Sequence, residues 1–175
     1  MDRPRDMLLA DIGIGLVAGL AATKVYDLAQ EALSRAMPAH IMEQEERLRP
    51  EPSSCTAARK ISEGLGYRLD DRQLELATMA VHYGTGMAWG PVYSLLRRHG
   101  RMQPLGAGFV TGTAMSVIMD ELLVPACGFC APNQAFPIMT HVRGFLNHLV
   151  FGAAVALTAE TLYRLTATTP GYRRA

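Results

Sequence analysis

The chain has 175 residues, of which 49% are hydrophobic and 19% charged, with a formal net charge of +1. That length fits a single core and excludes a multidomain enzyme, while the low charge content and a mean hydropathy of +0.09 exclude a disordered chain and point toward lipid. A near-neutral chain lacks the basic face that nucleic acid requires, so no nucleic-acid partner is expected.

A bilayer core about 30 Å thick takes roughly 20 apolar residues at 1.5 Å rise, and such runs set the predicted elements. The first span covers about residues 7–24, with Asp11 near its start and IGIGLVAGLAAT leading to Lys24. Residues 25–75 mix charges of both signs with Pro38, Pro50 and Pro52, so they cannot cross. VYDLAQEALSRA continues the first helix with Asp27 and Glu31 one turn apart, Pro38 stops it, IMEQEERLR is a short helix, PEPSS a break, and 56–65 an amphipathic helix ended by Gly64 and Gly66. These pieces make a small helical cap.

The second span, 76–96, contains no Asp, Glu, Lys or Arg; the third, 103–120, ends on Asp120 and Glu121. A fourth, 143–165, is apolar apart from residues such as Asn147, His148, Glu160 and Arg164. The expected fold is all-α: a polytopic domain of four transmembrane helices with an extracytoplasmic helical cap. No small-residue cleavage site follows the first apolar run, so a cleaved signal peptide is not expected.

Short cytoplasmic loops retain lysine and arginine. Arg3 and Arg5 precede the first span, Arg97, Arg98 and Arg101 join the second to the third, and Arg164, Arg173 and Arg174 follow the fourth, whereas 120–140 carries no basic residue. Both termini are therefore expected inside and the cap outside. Trp89 and Tyr93, toward the inner end of the second span, read as interfacial anchors, and the scattered methionines as adaptable packing.

Gly15-x-x-x-Gly19, Gly86-x-x-x-Gly90 and Gly108-x-x-x-Gly112 repeat the small-xxx-small pattern that lets helix backbones approach in lipid. One pattern in each of three spans predicts a tight intramembrane bundle.

Ionisable groups in lipid are costly and face the bundle interior. Counting from the outer ends, His82 and His148 share a depth, and with His141, Asp120 and Glu121 they form an expected polar layer, capped by Asp27 and Glu31. Three readings compete for it: interhelical hydrogen bonding alone, proton or metal-ion handling, and a b-type haem held by His82 and His148. No ligand spacing of the di-iron type is present, and no cofactor or metal is assigned. Cys127-Gly-Phe-Cys130 in the outer loop, with Cys55 in the cap, reads as a structural disulfide ahead of free thiols or redox chemistry.

The second half also resembles a known family. VHYGTGMAWGPVY from Val81, Gly106-Ala-Gly, ELLVPACG from Glu121 with Pro132 and Pro137, and NHLVFG from Asn147 with Glu160 are similar to the YagU-like small inner-membrane proteins. The resemblance covers about two thirds of the chain and implies a multi-helix protein of the bacterial cytoplasmic membrane, with His82 and His148 on the family's histidines. The chain departs from the pattern one turn before the last histidine, where Arg143 and Gly144 stand in place of an acidic residue. The family implies no particular reaction.

With glycine faces and no nucleophile–base pair, the first expectation is a non-enzymatic accessory or structural subunit packing against other membrane subunits or a second copy. The alternative is a small transporter or proton-handling protein using the His and carboxylate layer, and a haem electron carrier stands third.

Overall fold

The computed structural model describes residues 3–167, with side chains for 7–166. Arg173 and Arg174, and the side chains of Arg3 and Arg5, lie outside that description. The described chain is helical throughout, without strands: α1 (Arg3–Arg35), α2 (Ala39–Leu48), α3 (Ser53–Gly64), α4 (Asp71–Arg98), α5 (Pro104–Met115), a π-helical stretch (Ser116–Leu123), α6 (Val124–Ala126), a 3-10 turn (Asn133–Ala135) and α7 (Ile138–Ala167).

Three helices are long and apolar enough to cross a membrane: Met7–Arg35, Pro104–Ala126 and Ile138–Thr166. The predicted second span falls on α4, which has the length, 28 residues, but not the apolarity. Its charged first turns and the run of His82, Tyr83, Thr85, Trp89, Pro91 and Ser94 dilute the hydrophobic side chains. Its start is fixed by a reciprocal capping box, in which the Gln73 amide donates to Asp70 Oδ1 at 2.8 Å and the Asp70 amide to Gln73 Oε1 at 3.0 Å.

The long helices run up, down, up and down. Gly15 meets Gly90 and Pro91, and Gly19 meets Gly86 and Met87, so α4 is antiparallel to α1. Gly108 meets Gly152 and Ala156, and Gly112 meets His148 and Leu149, so α7 is antiparallel to α5. A methyl group on Gly19 would land on the Gly86 carbonyl, and one on Gly112 on the His148 carbonyl. All six predicted packing glycines are thus used inside this chain, joined by Gly152, and none is left to receive a partner.

Side chains follow the same inside-out logic. The core is small: Ala18, Ala22, Ala107, Ala156 and Ala159 with Tyr93, Met115, Phe151 and Val155. Buried with it are Asp11, Thr23, Ser94, Thr111, Asn147 and His148, while Leu9, Leu105, Phe109 and Leu157 are exposed. Polar groups inside and large apolar groups outside is the arrangement a lipid solvent selects.

Two expectations are corrected. Tyr93 is no interfacial anchor: it is fully buried, its hydroxyl donating to Glu160 Oε1 at 3.1 Å beside the Arg97–Glu160 ion pair at 2.7 Å. Asp120 and Glu121 do not end their helix, which widens into the π stretch around them and runs on to Ala126. Both carboxylates face imidazoles of α7, Glu121 at 2.7 Å from His141 and Asp120 at 3.3 Å from His148.

Candidate functional site

Beyond the glycine contacts, at the end of the bundle where α1 leads into α2, the helices line an open cavity of about 620 Å³. Thr23, Gly86, Met115 and Phe151 form its floor, Tyr26, His82, Asp120 and His148 its middle, and the 49–54 linker with Ala57 of α3 its far wall. A second, polar chamber of about 100 Å³ adjoins it, sharing Tyr26, Gln30, Arg49, Asp120 and Val124 and adding Glu121 and His141. That space has room for a few waters among several polar partners.

The predicted polar layer is present as three His–carboxylate pairs. His82 Nε2 lies 2.7 Å from Asp27 Oδ1, and the Tyr83 hydroxyl donates to Asp27 Oδ2 at 2.8 Å. His148 Nδ1 donates to the Gly144 carbonyl at 2.9 Å and lies 3.3 Å from Asp120 Oδ2. His141 Nδ1 is 2.7 Å from Glu121 Oε1, which Asn133 supports through Nδ2 bonds of 2.8 Å to the Glu121 carboxylate and carbonyl. Tyr26 packs between the first two pairs, its ring centroid 6.2 Å from that of His82 and 5.1 Å from that of His148. Asp27 therefore belongs to the layer. Glu31 does not; it sits exposed and pairs with Arg35 one turn along its own helix.

Haem does not fit between His82 and His148. His82 turns Nε2 onto Asp27, and Tyr26 is in ring contact with both imidazoles. Among the described residues no three His, Cys, Asp or Glu side chains converge as a metal site would need.

The expected disulfide is not formed: Cys55, Cys127 and Cys130 are all free thiols. Gly128, at φ 67°, turns the chain out of α6 and leaves Cys127 exposed, while the Cys130 thiol donates to the Ala131 carbonyl at 3.1 Å. Cys55 is drawn instead to Glu51, 3.3 Å away. Burial pushes the Cys130 thiol up, with the Arg49 charge opposing and the Asp120 and Glu121 charges adding to the rise. A thiol so held is a poor nucleophile.

Sequence reasoning missed the charged clasp beside the cavity. Arg143, 4% exposed, donates through Nη2 to both oxygens of Glu45 at 2.6 and 2.7 Å and through Nη1 to Ser34 Oγ at 3.0 Å. Arg49 reaches the same Glu45 carboxylate from one turn along, and Thr140 donates to it at 3.2 Å. This clasp ties α2 to α7, with Lys60 Nζ of α3 donating to the Gly128 carbonyl at 2.7 Å as a second tether. The signal for Arg143 was available, as a lone cation entering an apolar run. Glu45 could not be told from Glu43 and Glu46 beside it.

No family model, curated protein or solved structure matches the chain. The resemblance to YagU-like proteins accordingly finds no support in these comparisons.

Proposed function

We propose that the chain is a four-span protein of the bacterial cytoplasmic membrane, both termini cytoplasmic, working as a small transporter that moves protons through its His–carboxylate cavity. The antiparallel seating of α4 along the glycines of α1 supports a fourth span: a helix packed against a lipid-crossing neighbour can carry polar residues inward. The arginine distribution supports the orientation, and the YagU-like motifs support the compartment.

One observation carries the functional reading. Two His–carboxylate pairs, His82–Asp27 and His148–Asp120, stand at one cavity, and Asp120 also borders a polar chamber lined by the third pair, His141–Glu121. Imidazole and carboxylate in series, separated by spaces that hold water, are the parts of a proton relay. The glycine faces on which the accessory-subunit reading drew are occupied within this chain.

The test is proton movement into vesicles. Purified protein reconstituted with a trapped pH indicator is expected to dissipate an imposed pH gradient faster than protein-free vesicles. Asp120→Asn and His148→Ala should each bring the rate close to that of empty vesicles. A wild-type rate equal to that of empty vesicles would sink the reading.

A further inference from the structure

The relay residues do not need a 620 Å³ space whose surface is mostly apolar. Met115, Met119, Leu123, Val124, Phe129 and Phe151 supply a wall for an organic ligand. The charges at that wall are matched among themselves. Arg143 and Arg49 both bond Glu45, and the guanidinium this leaves in excess, Arg49, acts on Asp120. Glu51 is paired with Arg59 at 2.6 Å, and Asp27 with His82 at 2.7 Å. Neither sign is left over, so the space suits an uncharged ligand.

Hydrogen-bonding capacity, by contrast, is left over. His148 spends Nδ1 on the Gly144 carbonyl and Asp120, and His82 spends Nε2 on Asp27; the second nitrogen of each ring has no hydrogen-bond partner among the described residues. The Ser53 hydroxyl, on the same wall, is buried without a partner. An imidazole held by a carboxylate at one nitrogen can pass a proton at the other. The cavity also meets a reductant. Cys127 lies on its wall and Cys130 on the adjoining chamber with Asp120, Glu121 and His141, and both are unpaired thiols. Two thiols at Cys-x-x-Cys spacing close to a disulfide by giving up two electrons and two protons. An uncharged apolar molecule that takes up two electrons and two protons is a quinone.

We propose that the cavity binds a membrane quinone, its ring toward Cys127 and its apolar tail along Met115, Met119 and Phe151, and that Cys127 and Cys130 reduce it. The Cys127 thiolate adds to the quinone ring. The Cys130 sulfur then attacks Cys127 Sγ, forming the S–S bond and breaking the bond from sulfur to ring. The ring leaves with both electrons as a hydroquinone, its two oxygens taking up the two protons that the thiols release. Cys127, the exposed thiol, is the one free to attack first. Cys130 must lose its proton to follow, and His141, Asp120 and Glu121 border the same chamber to take it. This activity is separate from proton transport and does not depend on it.

The test uses the full chain, reduced and freed of excess reductant, in nanodiscs without oxygen. The probe is a fully substituted benzoquinone with a decyl tail, which has no ring hydrogen for a thiol to replace permanently. The expected result is one quinone reduced per chain, read by loss of quinone absorbance, with two hydrogens missing from the peptide that holds Cys127 and Cys130. Cys127→Ser and Cys130→Ser should each abolish the reduction, and Cys55→Ser should leave it unchanged. Excess of the same tailed ring with both oxygens methylated, which cannot accept electrons, should slow the wild type about tenfold by filling the cavity. Met119→Trp, which narrows the cavity, should slow it by a similar factor. No protein-dependent loss of quinone, a rate indifferent to the methylated competitor, or a loss that requires Cys55 would overturn the proposal. Proton flux in the vesicle assay is expected to persist in Cys127→Ser, so failure of quinone reduction leaves the relay standing, and failure of proton flux leaves the quinone site standing.

Discussion

Where Gly15 and Gly19 face Gly90 and Gly86, backbone meets backbone, and nothing larger than hydrogen fits between α1 and α4. One turn farther along the same two helices, Thr23, Tyr26 and His82 take over and a cavity opens. The helices α5 and α7 repeat the change, from Gly108 and Gly152 in contact to Asp120 and His148 bordering the space. Small residues thus close one part of the bundle by removing side chains, and polar residues hold the other part open by supplying them. The closed seam is what allows the open end to exist: it fixes the spacing of the helices at a point that needs no contribution from the charged groups.

The sharpest way to break that contrast is to fill the seam. Gly112→Leu and Gly19→Leu each drive a side chain into a facing backbone carbonyl that cannot move aside, and both variants are expected to lose the folded protein. Yield of monodisperse protein in mild detergent reads this directly. Wild-type yield from Gly112→Leu would mean that the seam does not govern the bundle.

A smaller effect is expected at the clasp. Arg143→Ala leaves Glu45 buried with Arg49 as its remaining guanidinium, so the loss should fall below the about 3–5 kcal/mol of a buried charge left without a partner. Thermal unfolding in detergent should fall accordingly, and a variant as stable as the wild type would show that α2 is held by other contacts. The smallest effect concerns the loop that borders the open end. Cys130 should react with a maleimide at about one tenth of the Cys127 rate or less, because it is partly buried where Cys127 is exposed and burial raises its thiol. Equal rates would mean an open loop, and two cysteines unreactive until reduced would restore the disulfide.

The all-helical architecture and the seam were legible in the sequence, and for the same reason. Long apolar runs and glycines four apart are local patterns, and lipid leaves few ways to use them. The character of α4 was not legible from length alone: the run from 76 to 96 has no Asp, Glu, Lys or Arg, yet its histidine, tyrosines, proline and serine leave it less apolar than the other three long helices. Within the site, the members of the polar layer were visible, since each is an ionisable group in or beside an apolar run. Their pairing was not. Asp27 with His82 and Glu45 with Arg143 join positions 55 and 98 residues apart, and only the register set by the glycines brings them together.

The π stretch gives this site an unusual genetic property. From Ser116 to Leu123 the helix is underwound, carrying more residues per turn than its neighbours. Underwinding absorbs the extra residue of such a stretch, so excising a single residue there and letting the helix rewind to 3.6 residues per turn would leave the helix beyond Leu123 in register. Such a deletion would change the length of the helix by at most about 1.5 Å, a change the bilayer tolerates, and would re-aim only the residues within the stretch, Asp120 and Glu121 among them. The stretch therefore sets the direction of Asp120 and Glu121 separately from the helix beyond them, so the aim of both acids could change by one codon while the fold keeps its register.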